Sequence, residues 1–358
     1  MDLTILEDYV KKGLLRKQED ENLVQYNYSE ECNNTQAWDE ITLFNRGNIY
    51  EKSTGNLIAK AMPKFFNFSQ LSETEQKHFL RCDKFINTEK KDGCLGIIYL
   101  YNDEIRCNSR GGFDNYVTKV MKRLLPKYVM LKRILEHNTL NVEVISPETK
   151  IICDYGNEEE LYLLTAFTKD GEEQSPEVLD IMSQVIKMPR PTYDNMNWTQ
   201  LFEWQKTANH EKEGFVVMLN SKKNGSYERV KIKSEDYLNI ARFKAGLSKR
   251  SIWRMWKNDI EQGTDLLTEY MNQLPDEIYK EAQNYFSELK LELENEHTFA
   301  LIEANAVKDI EKRDLKAYYE KNPSKYMSFV YNHRNGKSNV RTLIKFIEPK
   351  ENFYEYDS

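Results

Sequence analysis

Thr88-Glu89-Lys90-Lys91-Asp92-Gly93-Cys94, followed at once by the apolar run Leu95-Gly96-Ile97-Ile98-Tyr99-Leu100, is the part of this chain that says most about its organisation. Asp-Gly favours a tight reversal, because glycine tolerates backbone angles that other residues resist. The run after it, continuing to Ile105, is rich in β-branched and aromatic residues and predicts a strand. Lys90 then stands just before a turn that opens a strand, where an amine can be held rigidly over a pocket. Alone, the pattern Lys-x-Asp-Gly is common, and a solvated lysine beside a β-turn explains it equally well. The residues that follow it in order favour the first reading.

The chain has 358 residues, enough for two domains, with the mix of apolar and charged residues of an ordinary soluble globular protein. No run approaches the roughly 18 apolar residues of a membrane span, and Met1-Asp2-Leu3-Thr4 lacks a basic flank and an apolar signal core, so a cytoplasmic protein is expected. Five cysteines (Cys32, Cys82, Cys94, Cys107, Cys153) form no Cys-x-x-Cys pair and indicate neither disulfides nor a zinc site. A formal net charge of −7 argues against wholesale coating of nucleic acid but leaves room for a local basic groove. Neither a Gly-x-x-x-x-Gly-Lys loop nor a Gly-x-Gly-x-x-Gly turn is present, which removes the two commonest nucleotide cradles.

In chain order, residues 1 to about 35 carry a helical pattern and then a polar loop, Glu30 to Asn34. Ile41 to Glu51 and Leu57 to Ala61 predict a hairpin turning at Ser53-Thr54-Gly55-Asn56 and presenting Arg46 and Lys64 as fixed cations. A short helix, 71–81, precedes the Lys90 turn, and the next strand runs into Ser109-Arg110-Gly111. Residues 114–137 predict an amphipathic helix, interrupted at Pro126, whose basic positions read best as a solvated face. Strands are predicted at 140–147, 151–155 and 161–167, with Glu143 projecting to one face between two valines. Two helices follow, through Ile186 and through Trp204. Glu213-Gly214 then opens a buried strand, and in Val230-Lys231-Ile232-Lys233 the strand period points both lysines to one side.

From Ser234 onward strand patterns stop, so domains of 1–234 and 235–358 are expected, the second all-helical. Within it, Arg242 to Lys257 interleaves six cations with Phe243, Trp253 and Trp256, a composition that suits single-stranded RNA or a tRNA surface. The tryptophans read better as core, the cations as surface.

Lys90, Arg110, Glu143, Glu213 and Lys231 with Lys233 recur in that order at strand ends. That set suits nucleotidyl transfer. A lysine is almost wholly protonated near neutral pH, so nearby cations are needed to free its amine for attack on a phosphate. Cations also stabilise the charge that builds on the α-phosphate, and Glu213 is a natural partner for Mg²⁺. Glu143 can bond a ribose or ordered water, while Arg46 and Lys64 are placed to hold pyrophosphate.

These motifs together resemble the phage-type RNA ligase 1 family, ATP-dependent ligases that reseal cleaved tRNA. The resemblance is carried by Arg46-Gly47, Met62-Pro63-Lys64-Phe65-Phe66-Asn67, Lys90 to Gly93, Ser109-Arg110-Gly111, Glu143 with Ser146-Pro147, Glu213-Gly214 and Val230 to Ser234, over about residues 40 to 240. It implies an α+β fold: an antiparallel-sheet adenylation domain followed by a smaller all-α domain that binds RNA, notably tRNA. It implies ATP and Mg²⁺ as cofactors, Lys90 as the residue that carries AMP, and transfer of AMP to an RNA 5′-phosphate before a 3′-hydroxyl closes the bond. Glu89, Asp92 and Gly93 flank the nucleotide in that scheme, Phe66 supports its pocket, Tyr237 lies beside the adenylate, and Asp265 helps Glu213 with metal. Broken tRNA and an end-healing kinase or phosphatase would be the partners. A DNA ligase, a capping enzyme and a catalytically silent RNA-binding relative are the alternatives. The helical character after Lys233 speaks against the first two, and retention of Lys90 with both later lysines against the third.

Overall fold

The computed structural model describes residues 2–244, 246–274, 276–337 and 340–349. The chain divides into two compact units, Met1–Ala241 and Arg242–Ser358. The division falls after Ser234 because the helix Glu235–Lys244 opens within the first unit, where Tyr237 is buried.

The first unit is built on three four-stranded antiparallel sheets. In chain order the strands are β1 (Leu15–Glu19), β2 (Leu23–Tyr28), β3 (Arg46–Glu51), β4 (Leu57–Ala59), β5 (Phe85–Lys90), β6 (Cys94–Tyr101), β7 (Glu104–Ser109), β8 (Asn138–Ile145), β9 (Glu160–Thr168), β10 (Tyr193–Asp194), β11 (Gly214–Lys223) and β12 (Ser226–Lys233). The sheet orders are β1-β2-β3-β4, β10-β5-β11-β12 and β7-β6-β8-β9. Lys90 therefore ends a strand of one sheet, and Cys94 begins a strand of another. The Asp-Gly turn is a crossover between sheets, not the tip of a hairpin.

Each sheet owes its stability to its own buried face. Ile98, Leu140, Val142, Val144, Leu161 and Leu163 pack against the helices Tyr116–Leu124 and Pro176–Ile186, burial worth about 1.5–3 kcal/mol per large side chain. Phe215, Val217, Val230 and Ile232 form a second core with Leu201 of the helix Trp198–Thr207. Ile49, Ala59 and Leu23 of the first sheet pack on Ile97 and Tyr99 of the third. Gln25 ties the same two sheets by donating to the carbonyls of Gly47, at 3.1 Å, and Ser109, at 2.8 Å. Gly47 has φ +111°, and a Cβ there would come 3.1 Å from both Gln25 Nε2 and Ile97 Cδ1, so glycine lets the sheets close.

Four expectations are corrected. Ile41 to Phe44 is helical rather than extended, because Asp39 caps the helix Glu40–Phe44 through a reciprocal pair with Thr42. Glu30–Thr35, expected as a loop, is a helix capped by Ser29, and the hairpin β1–β2 before it was absent from the sequence reading. Ile151 to Tyr155 is not a strand: the amides of Ile152 and Cys153 donate to Asp92 instead of to a neighbouring strand. The helix expected over 114–137 is broken into Tyr116–Leu124, a 3₁₀ turn holding Pro126, and Leu131–Leu135.

The second unit is helical throughout its described elements, including Lys249–Gln262, Leu266–Gln273 and the 31-residue Asp276–Ala306. Trp253 is core, 3% exposed, and donates to the carbonyl of Ile344 at 2.9 Å. The cations expected as an RNA-facing set are largely committed to acids: Arg242 to Glu281, Lys249 to Glu288 and Glu292, and Arg250 to Glu348. Arg254 and Phe243 are exposed. No helix among the described residues is long and apolar enough to cross a membrane.

Candidate active site

Strand register creates the site. Gly214, the first residue of β11, lies opposite Lys90 on one side and Lys233 on the other. The preceding residue, Glu213, thereby reaches both ammonium groups: Lys90 Nζ donates to Oε2 at 2.6 Å, and Lys233 Nζ stands 2.8 Å from Oε1. Burial works against the charge on Glu213, but Lys233 and Lys90 outweigh it and hold the carboxyl below its ordinary range. A Cβ on Gly214 would fall 2.1 Å from the carbonyl oxygen of Ile232, so only glycine allows β12 to approach this closely.

Alternation along β12 sends Arg229, Lys231 and Lys233 to one side and Val230 and Ile232 into the core. Lys231 is also held by its amide, which donates to the carbonyl of Phe66 at 2.9 Å. Beside these residues lies a cavity of about 540 Å³. Lys90, Lys231, Arg46, Arg110 and Glu143 line it, with apolar wall from Met62, Phe65 and Val216. Glu89 and Gly93 also line it.

Glu143 enters from the third sheet, its Oε1 accepting the Gly93 amide at 3.2 Å. Burial pushes its carboxyl up to about 7; Lys90 and Arg46 oppose the rise, Glu213 and Asp92 add to it. Glu143 with Glu213 is a pair of carboxylates whose oxygen chemistry fits a divalent cation held through few protein oxygens and its own waters. No group of three or more histidine, cysteine or carboxylate side chains able to hold a metal is present among the described residues.

Besides Glu213 and Lys233, five sequence-derived residues fall outside the cavity wall. Asp92 is buried and clamps the turn: Oδ2 accepts the amides of Ile152 at 2.7 Å and Cys153 at 2.8 Å, and Oδ1 accepts the Tyr237 hydroxyl at 2.8 Å. Tyr237 thus touches the turn rather than the cavity, with Lys233 Nζ 5.2 Å from its ring centre. Lys64 is buried among the rings of Tyr28, Trp38 and Phe66, at 5.0, 5.2 and 5.5 Å. Phe66 packs edge-on to Trp38 and supports β12 through its carbonyl, while its neighbour Phe65 faces the cavity under Lys231. Asp265 belongs to the second unit, at the start of the helix Leu266–Gln273.

The sequence reading missed Phe65, Arg229 and Arg16, all in the cavity wall. Arg229 was within reach, two residues before Lys231 on the same strand face. It is fixed by an ion pair to the fully buried Glu173. Arg16 carried no local signal, since the pairing of β1 with β2 brings it there.

A family model described as RNA ligase matches residues 45–238. No curated protein matches the chain. Among solved structures, a protein of Aquifex aeolicus to which ATP-dependent DNA ligase activity is ascribed aligns at 19% identity and a TM-score of 0.44, over 84% of this chain and 81% of that one. A Naegleria gruberi RNA ligase variant with ATP and Mn aligns at 15% identity and a TM-score of 0.39, over 50% of this chain and 58% of that one.

Proposed function

The chain belongs to the RNA ligase family, and on this premise we propose that it is an ATP-dependent enzyme of that kind in which Lys90 carries AMP between ATP and an RNA 5′-phosphate, in the repair of broken tRNA. One observation carries the assignment of Lys90: its side chain is 20% exposed and lines the cationic cavity, while its amine is tied to Glu213. A nucleophile fixed in this way needs little reordering before attack.

In the proposed first step, Nζ of Lys90 bonds to the α-phosphorus of ATP, and the bond to the bridging oxygen breaks with its electron pair leaving on pyrophosphate. The ammonium proton must depart first. Glu213 Oε2 is its acceptor in place, and because that carboxyl is held acidic the proton passes on to solvent. Lys231, Arg46 and Arg229 face the phosphates and offset their growing charge. In the second step the RNA 5′-phosphate displaces Lys90 from the adenylyl group. In the third a 3′-hydroxyl displaces AMP, and the phosphodiester closes.

Once nucleotidylated, Lys90 is no longer a cation, which frees Oε2 of Glu213. Glu213 and Glu143 are then the residues that would hold Mg²⁺, which when bound supplies further positive charge at the phosphates. RNA for joining, a tRNA substrate and end-healing partners are read from the family, with the second unit serving the RNA, and the metal role of Asp265 is read from the family as well.

Incubation with radiolabelled ATP and Mg²⁺ is expected to label the protein at Lys90, and Lys90→Ala to remain unlabelled. Labelling from GTP in place of ATP would overturn the reading in favour of capping chemistry.

A further inference from the structure

Lys91 lines the same cavity as Lys90, its neighbour in the chain, and the proposed steps give it no task. Its side chain is 12% exposed. Its Nζ lies 3.3 Å from Glu89 Oε1, 5.0 Å from the centre of the Tyr155 ring and 4.7 Å from that of Tyr162. An ammonium over two aromatic faces and beside a carboxylate is attracted by all three, the more strongly where water is excluded.

Each of these contacts is anchored elsewhere. Glu89 belongs to β5; its amide donates to the Thr192 carbonyl at 2.8 Å, and its Oε2 accepts the Thr192 hydroxyl at 3.0 Å. The Tyr155 hydroxyl accepts the amide of Asp92 at 2.9 Å. Tyr162 stands on β9 directly opposite Glu143 of β8. Lys91 therefore joins the sheet that contains Lys90 to the sheet that carries Glu143, across the crossover between them. The peptide between residues 90 and 91 is planar, so a pinned residue 91 limits how far the backbone beneath Lys90 can turn.

We propose that Lys91 is a positioning residue: gripped by Glu89, Tyr155 and Tyr162, its ammonium fixes the crossover and, through it, the direction in which the Lys90 amine attacks. Lys91 acts through its neighbour, while the Asp92 clamp secures the far side of the same turn. Displacing a reacting group by about 1 Å can cost roughly a hundredfold in rate, so a loose crossover is felt in the chemical step more than in nucleotide binding. The inference rests on the proposed role of Lys90.

The test uses three variants. Lys91→Met keeps the length of the side chain and removes its charge, Lys91→Arg keeps a cation that can lie over the rings, and Tyr162→Leu removes one ring face. Labelling by radiolabelled ATP is timed across ATP concentrations. In Lys91→Met the maximal rate should fall roughly tenfold or more, with the half-saturating ATP concentration within about threefold of the parent. Lys91→Arg should recover the rate to within about threefold. Adding Tyr162→Leu to Lys91→Met should slow labelling no further, since both break one grip. A general loss of stability, read from urea denaturation, would neither divide between rate and half-saturation in this way nor be mended by arginine. Labelling of Lys91→Met within twofold of the parent rate, or Lys91→Arg as slow as Lys91→Met, would overturn the proposal. An effect confined to the half-saturating concentration would also overturn it, making Lys91 a ligand of the nucleotide. AMP mapped to Lys91 instead of Lys90 would overturn both assignments. Should the parent protein not label at all, the role of Lys90 fails, and acetylation by acetic anhydride then decides the positioning alone: a threefold or larger change in modification of Lys90 in Lys91→Met upholds it, a smaller one sinks it.

Discussion

Glu213 binds Lys90 and Lys233 at the same time, one through each carboxylate oxygen, at 2.6 and 2.8 Å. Its side chain is only 3% exposed. The carboxylate separates two ammonium groups that the register of three adjacent strands would otherwise bring face to face. Glu213→Gln keeps the shape and removes the charge between them. Breaking a buried ion network by one partner costs about 3–5 kcal/mol. Urea denaturation should report a loss of that order, and labelling by ATP should fall at least a hundredfold.

Glu143 gives stability a pH dependence of defined sign. Its carboxyl is raised from 4.5 to about 7 in the folded protein, so its contribution is fully present below the unfolded value and is lost as pH rises through 7. Glu213 runs the other way, its contribution being lost as pH falls below the ordinary carboxylate range. From pH 5 to 8, therefore, the denaturation midpoint of the parent should decline relative to that of Glu143→Gln. Parallel midpoints across this range would refute the assignment.

Tyr237→Phe deletes the donor to Asp92 Oδ1 and leaves that buried oxygen without the hydroxyl. A loss of about 1–3 kcal/mol is expected. In a double-mutant cycle with Asp92→Asn the two losses should be strongly non-additive, since both act on one hydrogen bond. Additive losses would show that Tyr237 does not secure the turn.

Gly214→Ala tests the close approach of β11 and β12. The added methyl meets the Ile232 carbonyl oxygen at 2.1 Å, and a backbone atom cannot swing aside as a side chain can. Overpacking of this kind costs about 1–3 kcal/mol, and the strand shift should also separate Glu213 from Lys233. A protein with unchanged melting and unchanged labelling would contradict the register described above.

Several of the positions that line the cavity or touch Lys90 were legible because they obey local rules. Lys231 and Lys233 follow strand alternation, and Gly214 and Gly93 sit where backbones crowd. What local rules cannot convey is which strand pairs with which. Lys90 is read as standing before a turn that opens a strand, as it does, but the sequence carries no sign that the turn crosses between sheets. Asp92 and Tyr237, assigned to the nucleotide by resemblance, are partners of each other across 145 residues. The alternation that correctly placed Lys231 could not choose between Phe65 and Phe66, because the segment before them is extended without belonging to a named strand. Capping interactions misled in the opposite direction: Asp39 with Thr42 outweighed the β-like composition of Ile41 to Phe44.

The clamp between residues 92 and 237 also bears on biosynthesis. The turn that presents the amine is complete only after the chain has been made as far as Tyr237, 145 residues later and close to the end of the first unit. A ribosome-bound intermediate lacks that fastening, so the turn would be secured only once Tyr237 has left the exit tunnel.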